Sequence, residues 1–135
     1  MTIEQCYARI GGSFAEVSAR LPDTCLVEKF VRKFPEDPSY AQLRQALADD
    51  CLTDAFRAAH TLKGVAANLS FEPLRQSASA LTELLRHAES IPAEAQALFT
   101  QVTRDYETTL AAIAQLDYHP QAFPSQGKVP VAAGG

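Results

Sequence analysis

One stripe, a single helix long, constrains this chain more than any other feature. Over residues 51–69 the apolar positions are Leu52, Ala55, Phe56, Ala59, Leu62, Ala66 and Leu69. That spacing of i, i+3, i+4 and i+7 marks one buried helical face. A half-buried strand would alternate with period two, and no segment of this chain does. Two further stripes follow: Leu74, Ala78, Leu81, Leu85 and Ala88, then Ala95, Leu98, Val102, Tyr106, Leu110, Ile113 and Leu116. Short breaks at residues 70–73 and 90–92 separate them, as expected of antiparallel neighbours in a bundle. The pattern predicts an all-α fold.

Upstream, prolines and glycines punctuate shorter segments. A short helix is expected over residues 3–10, ended by Gly11 and Gly12, and a second over 14–21. Pro22 and Asp23 open a third, with Leu26, Val27, Phe30, Val31 and Phe34 on one stripe, and Pro35 to Pro38 break it. Ser39 is expected to cap the next helix, which carries Tyr40, Leu43 and Leu47 and ends near Asp49 and Asp50. Beyond Leu116 no stripe remains, and the run contains three prolines and three glycines. Residues 1–117 are therefore expected to form one domain, and residues 118–135 a flexible tail.

A chain of 135 residues, 47 % of them apolar, suits one domain with a core that needs no staples. There is no Trp, so that core rests on Leu, Ala, Val and Phe. The net charge of -4 argues against nucleic acid as the main partner, though not against a local basic patch. Cys6, Cys25 and Cys51 are odd in number and widely spaced, with no CxxC, which disfavours a disulfide framework or structural zinc. They read as small apolar residues in a reducing cytosol. The N-terminus does not look like a signal peptide, and no stretch approaches a membrane span, so a cytoplasmic protein without a membrane partner is expected.

The chemistry concentrates on the central helix, in Ala58-Ala-His-Thr-Leu-Lys-Gly-Val-Ala-Ala-Asn68. At 100° per residue, His60 falls about 120° from the middle of the apolar stripe, so it should be exposed. Arg57, Lys63, Gly64, Ala67 and Asn68 lie on the same side, one or two turns away. A neutral imidazole is a good nitrogen nucleophile toward phosphorus. Lys63, at i+3, offers a point charge suited to a phosphoryl group on the ring, and Arg57 adds to that field. Gly64 costs about 1 kcal/mol relative to alanine inside a helix, which suggests that something approaches the backbone there. A surface histidine or lysine taken alone is usually just solvated; the three residues together favour function. His87, near a helix C-terminus, and His119, before Pro120, read as ordinary solvated histidines.

The run Ala59-His60-Thr61-Leu62-Lys63-Gly64, continuing through Ala66, Asn68 and Leu69, resembles the AHxLKG signature of histidine phosphotransfer (HPt) domains. Residues 43–49 followed by Phe56 resemble the helix and acidic turn before that signature, and residues 74–86 the helix after it. The likeness covers about residues 3–116. It implies an antiparallel four-helix bundle with a short N-terminal helical cap. It further implies that His60 accepts a phosphoryl group on Nε2 from a sensor histidine kinase or a response-regulator receiver aspartate, and passes it to another receiver. Lys63 would hold the phosphoryl group, Gly64 would leave room for the partner, and Arg86 matches a basic position that recognises partners in some members. Two departures are visible. Ser70 stands where the family usually has glycine, which should alter only the turn. Thr82 stands where some members have a glutamine bonded to the imidazole, so another group, or water, is expected to orient the ring.

A kinase is disfavoured, since there is no GxxxxGK[ST] loop, and no serine or cysteine is visibly paired with a base for hydrolysis. Two other readings compete: a helical interaction module using the same face without chemistry, and a fragment of a chemotaxis-type or hybrid kinase. The retained His60 favours a phosphocarrier over the first, and the lack of further domains favours a standalone carrier over the second. The expectation is a monomer with no cofactor and no metal of its own, since a receiver brings its own Mg²⁺.

Overall fold

A computed structural model describes residues 1–117, and the tail expected over residues 118–135 lies outside them. Among the described residues there is no strand. Seven α-helices follow one another: α1 (Ile3–Ile10), α2 (Phe14–Arg20), α3 (Thr24–Lys33), α4 (Ser39–Ala48), α5 (Leu52–Asn68), α6 (Glu72–Arg86) and α7 (Ala95–Ala114). A single 3-10 turn at Phe34–Glu36 separates α3 from α4, where Pro35 removes a donor from the helical ladder.

Local chemistry sets the boundaries of the short helices. Thr2 and Gln5 form a capping box at the start of α1, the Gln5 N–H donating to Thr2 Oγ1 at 3.1 Å and the Thr2 N–H to Gln5 Oε1 at 2.9 Å. Gly11 ends that helix at φ 85°, the left-handed conformation that glycine adopts without steric cost. Ser13 caps α2 and Asp23 caps α3. The cap of α4 differs from expectation. Ser39 is buried and already helical, and its N–H donates to Asp37 Oδ1 at 2.9 Å. Asp37, two residues earlier, reaches the free N–H because Pro38 holds the turn between them.

Helix α5 lies between α4 and α6, α6 packs on α7, and α1 also contacts α7. The central stripe is buried as its spacing predicts: Ala55, Ala59, Leu62 and Ala66 face the core, joined by Ala58. Small alanines at these positions let α4 and α6 approach closely, and Leu43, Leu74, Leu81 and Leu85 fill the space between. Aromatic rings tie α4 to α7. Tyr40 stacks on Tyr106 with centroids 4.1 Å apart and on Phe99 at 5.6 Å, and its hydroxyl pairs with Thr103 Oγ1 at 2.9 Å. Phe71 sits between Tyr7 and Phe34, which ties α1 and the 3-10 turn to the start of α6.

In α3 one stripe residue departs from its expected place. Phe30 is 42 % exposed, although Val27 and Val31 beside it are fully buried. It borders an open groove with Leu21, Phe34, Val65 and Leu69. The short α3 meets the core along a seam narrower than its apolar stripe, and Phe30 is left at the edge. Among the described residues no disulfide joins the cysteines, and Cys6 is buried in the core, where desolvation pushes its thiol up to about 11. Among the described residues no helix is long and apolar enough to cross a membrane.

Candidate functional site

The site grows out of the two faces of α5. Its inner face is apolar and packed, which fixes the rotation of the helix about its axis and turns the opposite side to solvent. His60, Gly64 and Asn68 are exposed on that side, and Lys63 and Ala67 are half-buried along its flank. Arg57 is exposed one turn before His60 and is paired locally, Nη1 to Asp54 Oδ1 at 3.1 Å. Its charge is thus partly answered within its own helix turn.

Side chains on a helix lean toward its N-terminus, so a residue covers the surface one turn before its own Cα. His60 accordingly leans over Phe56. The two rings lie 6.0 Å apart with planes only 5° from parallel. By the same geometry a side chain at position 64 would lean onto His60. Gly64 leaves that space bare: beyond its chain neighbours and its own helix backbone, a Cβ built there meets no atom within 4 Å. The imidazole is therefore lined on one side by Phe56 and uncovered on the other.

Arg86 reaches the same group from the end of α6. Its guanidinium carbon stands 5.3 Å from the Phe56 ring centroid, and its Nη2 donates to Glu83 Oε2 at 2.9 Å. The Arg86 hydrogen bond holds the Glu83 carboxyl below the usual carboxylate range, with smaller contributions from Lys63 and His87. Phe56 thus lies between the His60 ring and the Arg86 guanidinium, and Lys63 acts on the same Glu83 that Arg86 binds. His87 is exposed just past the end of α6, and His119 lies outside the described residues. Thr82 is completely buried and its hydroxyl donates to the Ala78 carbonyl at 2.7 Å, so it faces the core rather than the imidazole.

Phe56 and Glu83 are the site neighbours that the sequence reading did not single out. Phe56 was assigned to the buried stripe, whereas it is half-buried at the stripe's edge. The available signal was its i, i+4 spacing to His60. Among the described residues, no group of three or more His, Cys, Asp or Glu side chains is placed to hold a metal ion.

The C-terminal end of α5 is bound by the N-terminal helices. Arg20 Nη2 donates to the carbonyls of Ala67 at 3.0 Å and Asn68 at 2.7 Å and to Ser70 Oγ at 2.7 Å. The Tyr7 hydroxyl donates to the Leu69 carbonyl at 2.6 Å, and the Ser13 N–H to the Ser70 carbonyl at 3.0 Å. These bonds satisfy carbonyls that a helix end otherwise leaves open. Ser70 takes φ 57°, which explains why glycine would be usual there, and its hydroxyl gains a partner that glycine lacks. The serine therefore does more than alter the turn.

The sequence model of the Hpt domain matches residues 26–117, and this chain belongs to that family. The matched span begins within α3, so it is narrower than the resemblance over residues 3–116, and α1 and α2 lie outside it. No curated protein and no solved structure matches the chain. Hpt domains serve phosphotransfer in two-component phosphorelays; they are phosphocarriers rather than kinases, and they interact with kinases and receiver domains.

Proposed function

We propose that this protein carries a phosphoryl group on His60 between a kinase or receiver aspartate and another receiver domain. The observation that carries the reading is the exposed imidazole of His60 beside the bare backbone at Gly64, in a chain of the Hpt family. In this reading residues 1–117 form one domain. Helices α4 to α7 make an antiparallel four-helix bundle, and α1 to α3 cap one end of it. The protein works as a cytoplasmic monomer without a metal of its own.

The step needs little from the carrier beyond position and charge. The Nε2 lone pair of a neutral His60 attacks the phosphorus of the receiver's aspartyl phosphate. The N–P bond forms as the P–O bond to the aspartate breaks, the aspartate leaves as a carboxylate, and the Nδ1 proton stays on the ring. Onward transfer reverses these roles with a second receiver. Lys63 counters the charge on the phosphoryl oxygens. Gly64 gives the receiver room to bring its aspartate into line with Nε2. Arg57, Ala67, Asn68 and Arg86 surround this opening and contact the partner.

Incubation with a phosphorylated receiver tests the proposal. Phosphate should move to the chain in an acid-labile, alkali-stable form and map to His60. Receiver binding without any such transfer would overturn it and leave a helical interaction module.

A further inference from the structure

We infer that Phe56 is the positioning residue of His60, its ring setting the plane in which the imidazole presents itself. The inference rests on the reading of His60 as the reactive residue.

An exposed histidine on a helix ordinarily samples several rotamers, and a nucleophile that must meet phosphorus in line loses rate with each one. Some neighbour must therefore hold the ring. Thr82 is not that neighbour, because it is buried and bonded to the Ala78 carbonyl. The geometry points to Phe56, whose ring lies nearly parallel to the imidazole at 6.0 Å. Phe56 is itself held twice. It packs against the hydrophobic core, and the Arg86 guanidinium, bonded to Glu83, stands over its ring at 5.3 Å. A surface side chain is thus oriented through a ring anchored in the core. Because His60 leans back on Phe56, the bare side at Gly64 is left for the incoming phosphoryl group.

The alternative role for Phe56 is a contact with the docking partner, and kinetics separate the two. Phe56→Leu keeps an apolar side chain on the core but offers no ring. It should lower the maximal rate of phosphoryl transfer to His60 about two- to tenfold, the worth of one aromatic pair. The loss should appear both with a phosphorylated receiver and with phosphoramidate as a small donor, at unchanged receiver half-saturation. Phe56→Tyr should restore the rate. A raised half-saturation with undiminished labelling by phosphoramidate would make Phe56 a partner contact and overturn the inference, as would wild-type rates in Phe56→Leu. Nuclear relaxation of the His60 ring in the unmodified protein gives a second reading that needs no variant to fold. An imidazole as ordered as the α5 backbone is expected, and one that rotates freely would overturn the proposal. If neither donor labels His60 in the wild-type chain, the phosphocarrier reading fails, while the relaxation result still decides whether Phe56 holds the ring.

Discussion

The middle of α5 and its C-terminal end lie on one helix, about 12 Å apart, and the rest of the chain treats them differently. At the end, Tyr7, Ser13 and Arg20 reach across from distant sequence and bond the turn at residues 67–70. Around His60, the polar bonds made from α5 stay within that helix: Arg57 to Asp54, and Thr61 Oγ1 to the Arg57 carbonyl. Long-range polar contacts therefore fix the helix through its terminal carbonyls, beyond His60. The stretch around His60 is held from beneath by apolar packing, and no bond from another element crosses its outer face among those that α5 makes there. Rigidity at one end and access in the middle come from one element because packing and polar anchoring are placed at different points along it.

That contrast predicts that changes in the middle of α5 alter transfer and spare stability, while changes at its end do the reverse. The largest effect belongs to His60→Gln. It should abolish phosphate acceptance while changing stability by less than about 0.5 kcal/mol, as exposed substitutions usually do. Labelling of the variant at the wild-type rate would break the comparison at its centre. Gly64→Gln comes next. Nothing crowds a Cβ at this position, so the variant should fold, with up to about 1 kcal/mol gained from helix propensity. A side chain there leans onto His60, and transfer from a phosphorylated receiver should fall on the order of a hundredfold, whereas labelling by a small donor should fall much less. Unfolding of Gly64→Gln would show that the helix face is assigned wrongly. Lys63→Ala should slow transfer or shorten the phosphohistidine lifetime about tenfold, the lower end of what charge-assisted contacts contribute. An unchanged rate and lifetime would reduce Lys63 to a solvated charge.

At the fixed end, Tyr7→Phe removes the hydroxyl that answers the Leu69 carbonyl in a buried setting. Thermal denaturation should show a loss of about 1–3 kcal/mol, with transfer through His60 unaffected. A transfer defect without a stability defect would mean that the two ends are coupled. Ser70→Gly should have the smallest effect. It relieves the left-handed backbone, worth about 1–2 kcal/mol, but deletes the bond from the charged Arg20 guanidinium, worth about 1.5–3 kcal/mol. The two nearly cancel, so a net change within about 1 kcal/mol is expected, measured by denaturant titration. A much larger loss would place the main strength of the clamp in that one hydroxyl.

Helical periodicity alone determined much of this protein. The stripes along α5, α6 and α7 were legible because a helix exposes its apolar face every 3.6 residues whatever it packs against. The same regularity placed His60, Gly64 and Asn68 on the outer side of α5, and the glycine mid-helix stood out by its cost. Tertiary structure alone decided the rest. Phe30 shares the α3 stripe but stays exposed, because burial depends on which neighbour arrives and not on spacing. Arg20 and Tyr7 find their partners 47 to 62 residues away, and no local pattern encodes a distance of that kind. Thr82 turned inward, and Arg86 came to stand over the Phe56 ring, because α6 crosses α5 at a height and rotation set by packing. Which side chains share a helix face is a property of the chain; which faces meet is a property of the packed core.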